Sequence, residues 1–167
     1  ITGQVISNLF KKDILIKNKI FFKNGYFEDI LFFFKAFYFS KKKLITKKVL
    51  YTKVNTKNSI VNSISTNHIK DGLKVYYQIY KFLIVSKKNK KKELKYFCMT
   101  ALVGQFAVLL KRIKSFNKYQ NKKKNLEIEL RQIFFYYRNK INIKYIYRSR
   151  KDLFVTNFLS SFLNKKI

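Results

Sequence analysis

Enzymatic chemistry needs acids, bases, nucleophiles or metal ligands that converge, and this 167-residue chain offers few of them. Its carboxylates are Asp13, the Glu28/Asp29 pair, Asp71, Glu93, the Glu127/Glu129 pair and Asp152. Glu127 and Glu129 stand two apart on an expected helix, so they point away from each other. Glu28 and Asp29 open an apolar segment, where a helix N-terminus favours acids. His68, the only histidine, lies in a polar stretch and reads as a solvated loop residue. Cys98, the only cysteine, falls in an apolar run and reads as inert core. One of each builds neither an intrachain disulfide nor a Cys/His metal cluster. Gly104 stands alone in its region, so no glycine-rich loop cradles a phosphate. The expectation is no enzyme, no cofactor and no metal.

Charge is what remains. Against 38 basic side chains stand 8 acidic ones, a net charge of +30. Most lysines therefore have no carboxylate to meet, and self-repulsion on this scale opposes compactness. A polyanion must neutralise it. Nucleic acid is the first candidate and an anionic membrane surface the second. The cations gather in clusters: Lys87, Lys88, Lys90, Lys91 and Lys92; Lys111, Arg112 and Lys114; Lys118, Lys122, Lys123 and Lys124; Arg148, Arg150 and Lys151. Lysine-dominated clusters neutralise phosphates without reading base edges, so they position rather than specify. Arginines beside Tyr145 and Tyr147 suit stacking on exposed bases, although those tyrosines equally fit a buried face.

The elements that must hold these clusters follow from periodicity. Ile1 to Asn24 is basic and mixed. Gly25 precedes YFEDILFFFKAFYF, in which Ile30, Phe33, Phe34 and Phe37 recur at helical spacing, as for a buried core helix. Val49 to Asn67 reads as weak strands or a long loop, and Asp71-Gly72 as a turn. Leu73 to Ser86 suits a helix by spacing and length, although its Val/Tyr/Ile richness also suits a strand. Leu94 to Ala101 reads as a buried strand, and Phe106, Leu109, Leu110 and Ile113 as a helical stripe. Leu126, Leu130, Ile133, Phe134 and Tyr137 share one helix face. From Lys140 to Arg148 the pattern alternates, as for a strand with one basic face. Phe154, Val155, Phe158, Leu159 and Phe162 line a last helix. The fold expected is α+β: a small mixed sheet covered by helices in a compact domain over 72–167, with a helical and extended region over 1–71 that contacts RNA or neighbours.

A second bias is genetic. Lys, Asn, Ile, Phe and Tyr dominate, Pro and Trp are absent, and Gly occurs 4 times. The favoured residues are those with A/T-only codons, which points to a very AT-rich genome, a mitochondrial one in preference to a plastid one. The aromatic abundance is therefore partly mutational. A membrane span needs about 20 apolar residues; Ile30 to Phe39 is too short and carries Lys35, so no span is expected.

The run from Leu126 to Ile167 resembles the universal KH-domain ribosomal protein of the small subunit, the third in its numbering. That family has a helix of the LRxEL type, a strand of the V-x-I-x-I type, and an acidic-apolar helix ending in a basic pair. Leu130-Arg131, Ile141/Ile143/Tyr145 and Asp152 to Lys166 occupy those places. The paired glycines of the KH loop and the family's basic C-terminal domain have no counterpart here, so a separate chain supplying that domain is a possible partner. Charge and codon bias point to a structural constituent of a mitochondrial ribosome in the matrix, and the resemblance implies the small subunit. Such a ribonucleoprotein component of translation binds ribosomal RNA and neighbouring ribosomal proteins. The competing class is a basic subunit of an organellar membrane or respiratory complex, where long apolar spans are expected. An intron maturase would need paired acidic metal ligands, which the scattered carboxylates do not provide.

Overall fold

The computed structural model describes residues 8–44, 51–52, 54, 63–86, 91–115 and 120–141. The chain divides into two compact units, 1–63 and 64–167.

In the first unit, α1 (Lys12–Lys17) carries Asp13 in its first turn and Lys17 in its last. Its end is a Schellman turn. Lys19 N–H donates to Ile16 O at 3.1 Å and Ile20 N–H to Leu15 O at 2.9 Å, with Lys19 in the left-handed region at φ 50°. The reversal turns Ile20 inward, where it packs with Leu15. The chain then bends through Gly25 (φ 130°) and Phe27 (φ 61°) into α2 (Glu28–Phe39). Gly25 is a glycine for a reason: that φ is costly for any side chain. Ser40 closes α2, its N–H and Oγ–H both donating to Ala36 O, at 3.1 and 2.7 Å.

The core of this unit is Ile20, Phe32 and Ala36, with Phe10, Leu15 and Phe39 packed against it. Phe10 meets Phe32 edge-on, with centroids 5.5 Å apart. Phe22 lies flat on Phe32 at 4.1 Å and 2°. The buried face of α2 is Leu31, Phe32 and Ala36, not the expected stripe of Ile30, Phe33, Phe34 and Phe37, which is only half-buried. LFFF is apolar on every side, so periodicity cannot fix which side turns inward. The rings of Phe10, before α1, and Phe22, after its Schellman turn, pack on Phe32 and fix it.

The second unit contains α3 (Thr66–Ser86), α4 (Lys91–Lys114) and α5 (Gln120–Ile141), each packed against the other two. Thr66 meets Glu129 and Tyr77 meets Tyr137, so α3 and α5 run in the same direction. Phe106 meets Phe134, and Lys114 near the end of α4 meets Lys123 near the start of α5, so α4 runs opposite to α5. The result is an up-down-up bundle of helices 21, 24 and 22 residues long, about 32–36 Å each. Its core joins Ile69, Leu73, Ile79 and Leu83 of α3 to Leu102, Phe106, Leu109 and Ile113 of α4 and Leu126, Leu130, Phe134 and Ile141 of α5.

The expected sheet is overturned. Among the described residues there is no strand. Leu94 to Ala101 is the second and third turns of α4. This stretch misleads because α4 is the central helix, buried on most of its circumference: Cys98, Met99, Leu102 and Val103 are all inside. A helix buried so widely shows no 3.6-residue alternation and resembles a buried strand over any short window. Lys140 and Ile141 belong to α5; the rest of the expected strand, 142–148, and the expected last helix lie outside the described residues. Asp71-Gly72 is no turn but lies within α3, with Gly72 buried against its neighbours.

Candidate nucleic-acid interface

Residues that could do acid, base or nucleophile chemistry take structural roles. Ser65 precedes α3, and its Oγ accepts from His68 N–H at 3.5 Å while lying 2.8 Å from His68 Nδ1. Ser65 thus caps the start of α3, and the His68 ring holds the capping hydroxyl in place. His68 is thus not a solvated loop residue; it is 3% exposed in the first turn of α3. Burial, then the positive Arg112, hold its imidazole below the ordinary range, and Asp71 opposes them. Cys98 is buried and its thiol is pushed up to about 12 by desolvation, so it is not a thiolate. Glu129 clamps the start of α3. Thr66 Oγ1 donates to its Oε2 at 2.6 Å, and Lys70 Nζ lies 3.9 Å from its Oε1. Among the described residues no group of three His, Cys, Asp or Glu side chains could hold a metal ion.

The cations are placed by the bundle. Lys111, Arg112 and Lys114 stand in the last turn of α4, and Lys122, Lys123 and Lys124 in the first turns of α5. The antiparallel crossing brings these two groups to the same end, around the short α4–α5 connection. Lys111, Lys114, Lys122 and Lys124 are exposed there, and Arg112 and Lys123 half-buried. Each group has a local reason. Cations in the last turn of α4 face the negative end of its dipole. Lys123 Nζ donates to Lys114 O at 2.9 Å, satisfying a carbonyl that the helix end leaves open. Burial lowers the pKa of Arg112 from its ordinary value, without discharging so strong a base. The end of the bundle is a compact cationic face.

Other expected site residues are not gathered in this way. Lys91 and Lys92 open α4, at the opposite end of the bundle. Lys87, Lys88, Lys90, Lys118, Arg148, Arg150 and Lys151 lie outside the described residues.

Sequence reasoning misses two further groupings. Beside the C-terminal end of α3, Lys140 Nζ lies 4.4 Å from the Tyr136 ring and 5.7 Å from Tyr77, and Lys81 Nζ lies 5.2 Å from Tyr77. A hydrogen bond with Tyr136 raises the Lys140 pKa, keeping it charged. The signal is Lys81 and Lys140 following tyrosines at four-residue spacing, and it is hidden because 140–148 reads as a strand. In the first unit, Lys11, Lys12, Lys17, Lys19 and Lys23 are all exposed around the α1–α2 turn. The signal there is KIFFK at 19–23.

Comparison with protein-family models, curated proteins and solved structures finds no match to this chain.

Proposed function

We propose that this protein is a structural constituent of a mitochondrial ribosome, in the small subunit, holding ribosomal RNA through its phosphates and packing against neighbouring ribosomal proteins. The observation that carries the reading is the cationic end of the bundle, in a chain whose charge is +30. Six basic residues are brought together there by two helix termini, in a chain where 38 basic side chains face 8 acidic ones. Phosphates at that density are what nucleic acid supplies. The reading does not rest on a KH sheet. Leu130-Arg131 of the resembling run lies on α5, and the rest of that run, past Ile141, lies outside the described residues.

A membrane-complex subunit is favoured by one observation. Tyr96–Lys114 is long and apolar enough to cross a bilayer, with a mean hydropathy of 1.3. Half of that window is buried inside the bundle, however, and its middle holds the buried Gln105. That is how the core helix of a soluble bundle looks.

Gradient sedimentation of an organelle lysate separates the two. The protein is expected with small ribosomal subunits, and to leave them after nuclease treatment. Migration with a respiratory complex after nuclease treatment sinks the ribosomal reading. In purified material, Lys122, Lys123 and Lys124 replaced by Ala should reduce the slope of log affinity for RNA against log salt by roughly 0.7–0.9 for each phosphate that the protein no longer neutralises. The fold should survive, at a cost of about 1 kcal/mol for removing the Lys123 bond to Lys114 O.

A further inference from the structure

The Schellman turn after α1 does more than reverse the chain. By sending Ile20 inward it leaves Phe21 and Phe22 outward, 65% and 53% exposed. Phe22 is not merely an exposed apolar side chain. One face of its ring lies parallel on Phe32, at 4.1 Å and 2°, and Phe32 is itself buried and fixed edge-on by Phe10. A ring held flat on one side and more than half exposed offers its other face to solvent. Lys19 and Lys23, both exposed, flank it in sequence. The Lys23 ammonium also lies close enough to Lys35 of α2 to add to the burial that lowers the Lys35 pKa. A like charge beside a lysine is relieved by an anion between the two.

We propose that the 19–23 turn is a nucleotide site for single-stranded RNA, in which an unpaired base stacks on the outer face of Phe22 and its flanking phosphates meet Lys19 and Lys23. This rests on the RNA-binding reading above and deepens it. The bundle end grips backbone phosphates, while this turn needs a base. A planar platform between two cations is how sequence-tolerant single-strand sites are built. A lipid surface is the rival occupant, since Leu9 and Ile16 are also exposed. It rewards depth of insertion rather than ring orientation, and the flat lock of Phe22 on Phe32 would gain it nothing.

The test uses the full chain, a 12-nucleotide oligoadenylate and a ribose-phosphate strand of equal length without bases. The wild type should prefer the base-bearing strand, and Phe22→Ala should lose affinity for it by about 5- to 150-fold, the range of one base–aromatic stack, with the salt slope unchanged. Phe22→Trp keeps the platform and introduces the protein's only indole. Its fluorescence should be quenched by oligoadenylate and not by the abasic strand. Wild-type affinity without quenching would overturn the proposal and leave the RNA-binding reading standing. Binding of neither strand would overturn both. A blue shift on phosphatidylserine vesicles with no quenching by RNA would assign the turn to a membrane and overturn it as well.

Discussion

The two units solve the same problem with different means. Over 64–167, helices of 21, 24 and 22 residues bury aliphatic stripes in one another, and many core side chains are wholly enclosed. Among the described residues of 1–63, helices of 6 and 12 residues pack around Ile20, Phe32 and Ala36, with Phe10, Leu15 and Phe39 against them, held by ring contacts. Helices so short are marginal alone, and Leu9, Ile16, Phe21 and Phe22 remain exposed. The bundle can be stable by itself and carry its cations as a rigid face. Large apolar side chains are exposed in both units, Val85 and Val108 among them in the bundle, so the units differ in how their cores are built rather than in how much apolar surface they leave out.

The largest expected effect would break the bundle. Phe106 is fully buried with its ring 4.7 Å from Phe134, so Phe106→Ala should cost about 3–5 kcal/mol by lost transfer and a cavity. Urea unfolding followed by circular dichroism measures it. A loss below about 1 kcal/mol would mean that the second unit is no better packed than the first. Next comes the smaller unit. Gly25→Ala forces a side chain onto φ 130° and should cost about 1–3 kcal/mol, read from the same curves.

The pH dependence of the bundle rests on His68, whose folded pKa is lowered. Above about pH 6.5 the imidazole is neutral in both folded and unfolded chains, and stability is flat. As pH falls through that value, the unfolded chain takes up a proton that the folded one refuses. Stability then drops by up to about 1.4 kcal/mol per pH unit until the folded pKa is passed. The chain has no other histidine, so His68→Gln should flatten the curve between about pH 5 and 7. An unchanged slope would show that the buried imidazole is not its source.

The smallest effects are a pair of glycine swaps in opposite directions. Gly104 faces open space in the middle of α4, where an added Cβ meets nothing within 4 Å, so Gly104→Ala should stabilise by about 0.5–1 kcal/mol. Lys19 occupies a left-handed position that glycine fills without strain, so Lys19→Gly should stabilise the first unit by up to about 1 kcal/mol. Thermal melts distinguish gain from loss in both.

What the sequence discloses depends on how one-sided each element is. The stripe of α5 is legible, because one face is apolar and the other carries charge: Leu126, Leu130 and Phe134 are buried. The strand expected over 94–101 fails because α4 is enclosed by two partners and loses its period. The buried face of α2 fails for the related reason that neighbouring positions are all aromatic. His68 misleads because a polar flank reads as loop, whereas Ser65 uses that flank to start a helix. As for the candidate site, lysine runs are visible from composition. Their convergence is not, since it depends on α4 and α5 being antiparallel helices joined by a short connection. The Phe22 platform is hidden in an abundance of phenylalanine that codon bias alone would produce.

Cys98 has a practical consequence. It is the chain's sole thiol, enclosed between helices and held as the unreactive thiol form. An alkylating reagent can reach it only when the second unit opens. Dilute reagent therefore reads the equilibrium population of opened molecules, and excess reagent reads the opening rate itself. The protein carries its own clock for the unfolding of its larger half, and that clock can be read on the intact chain with no engineered label.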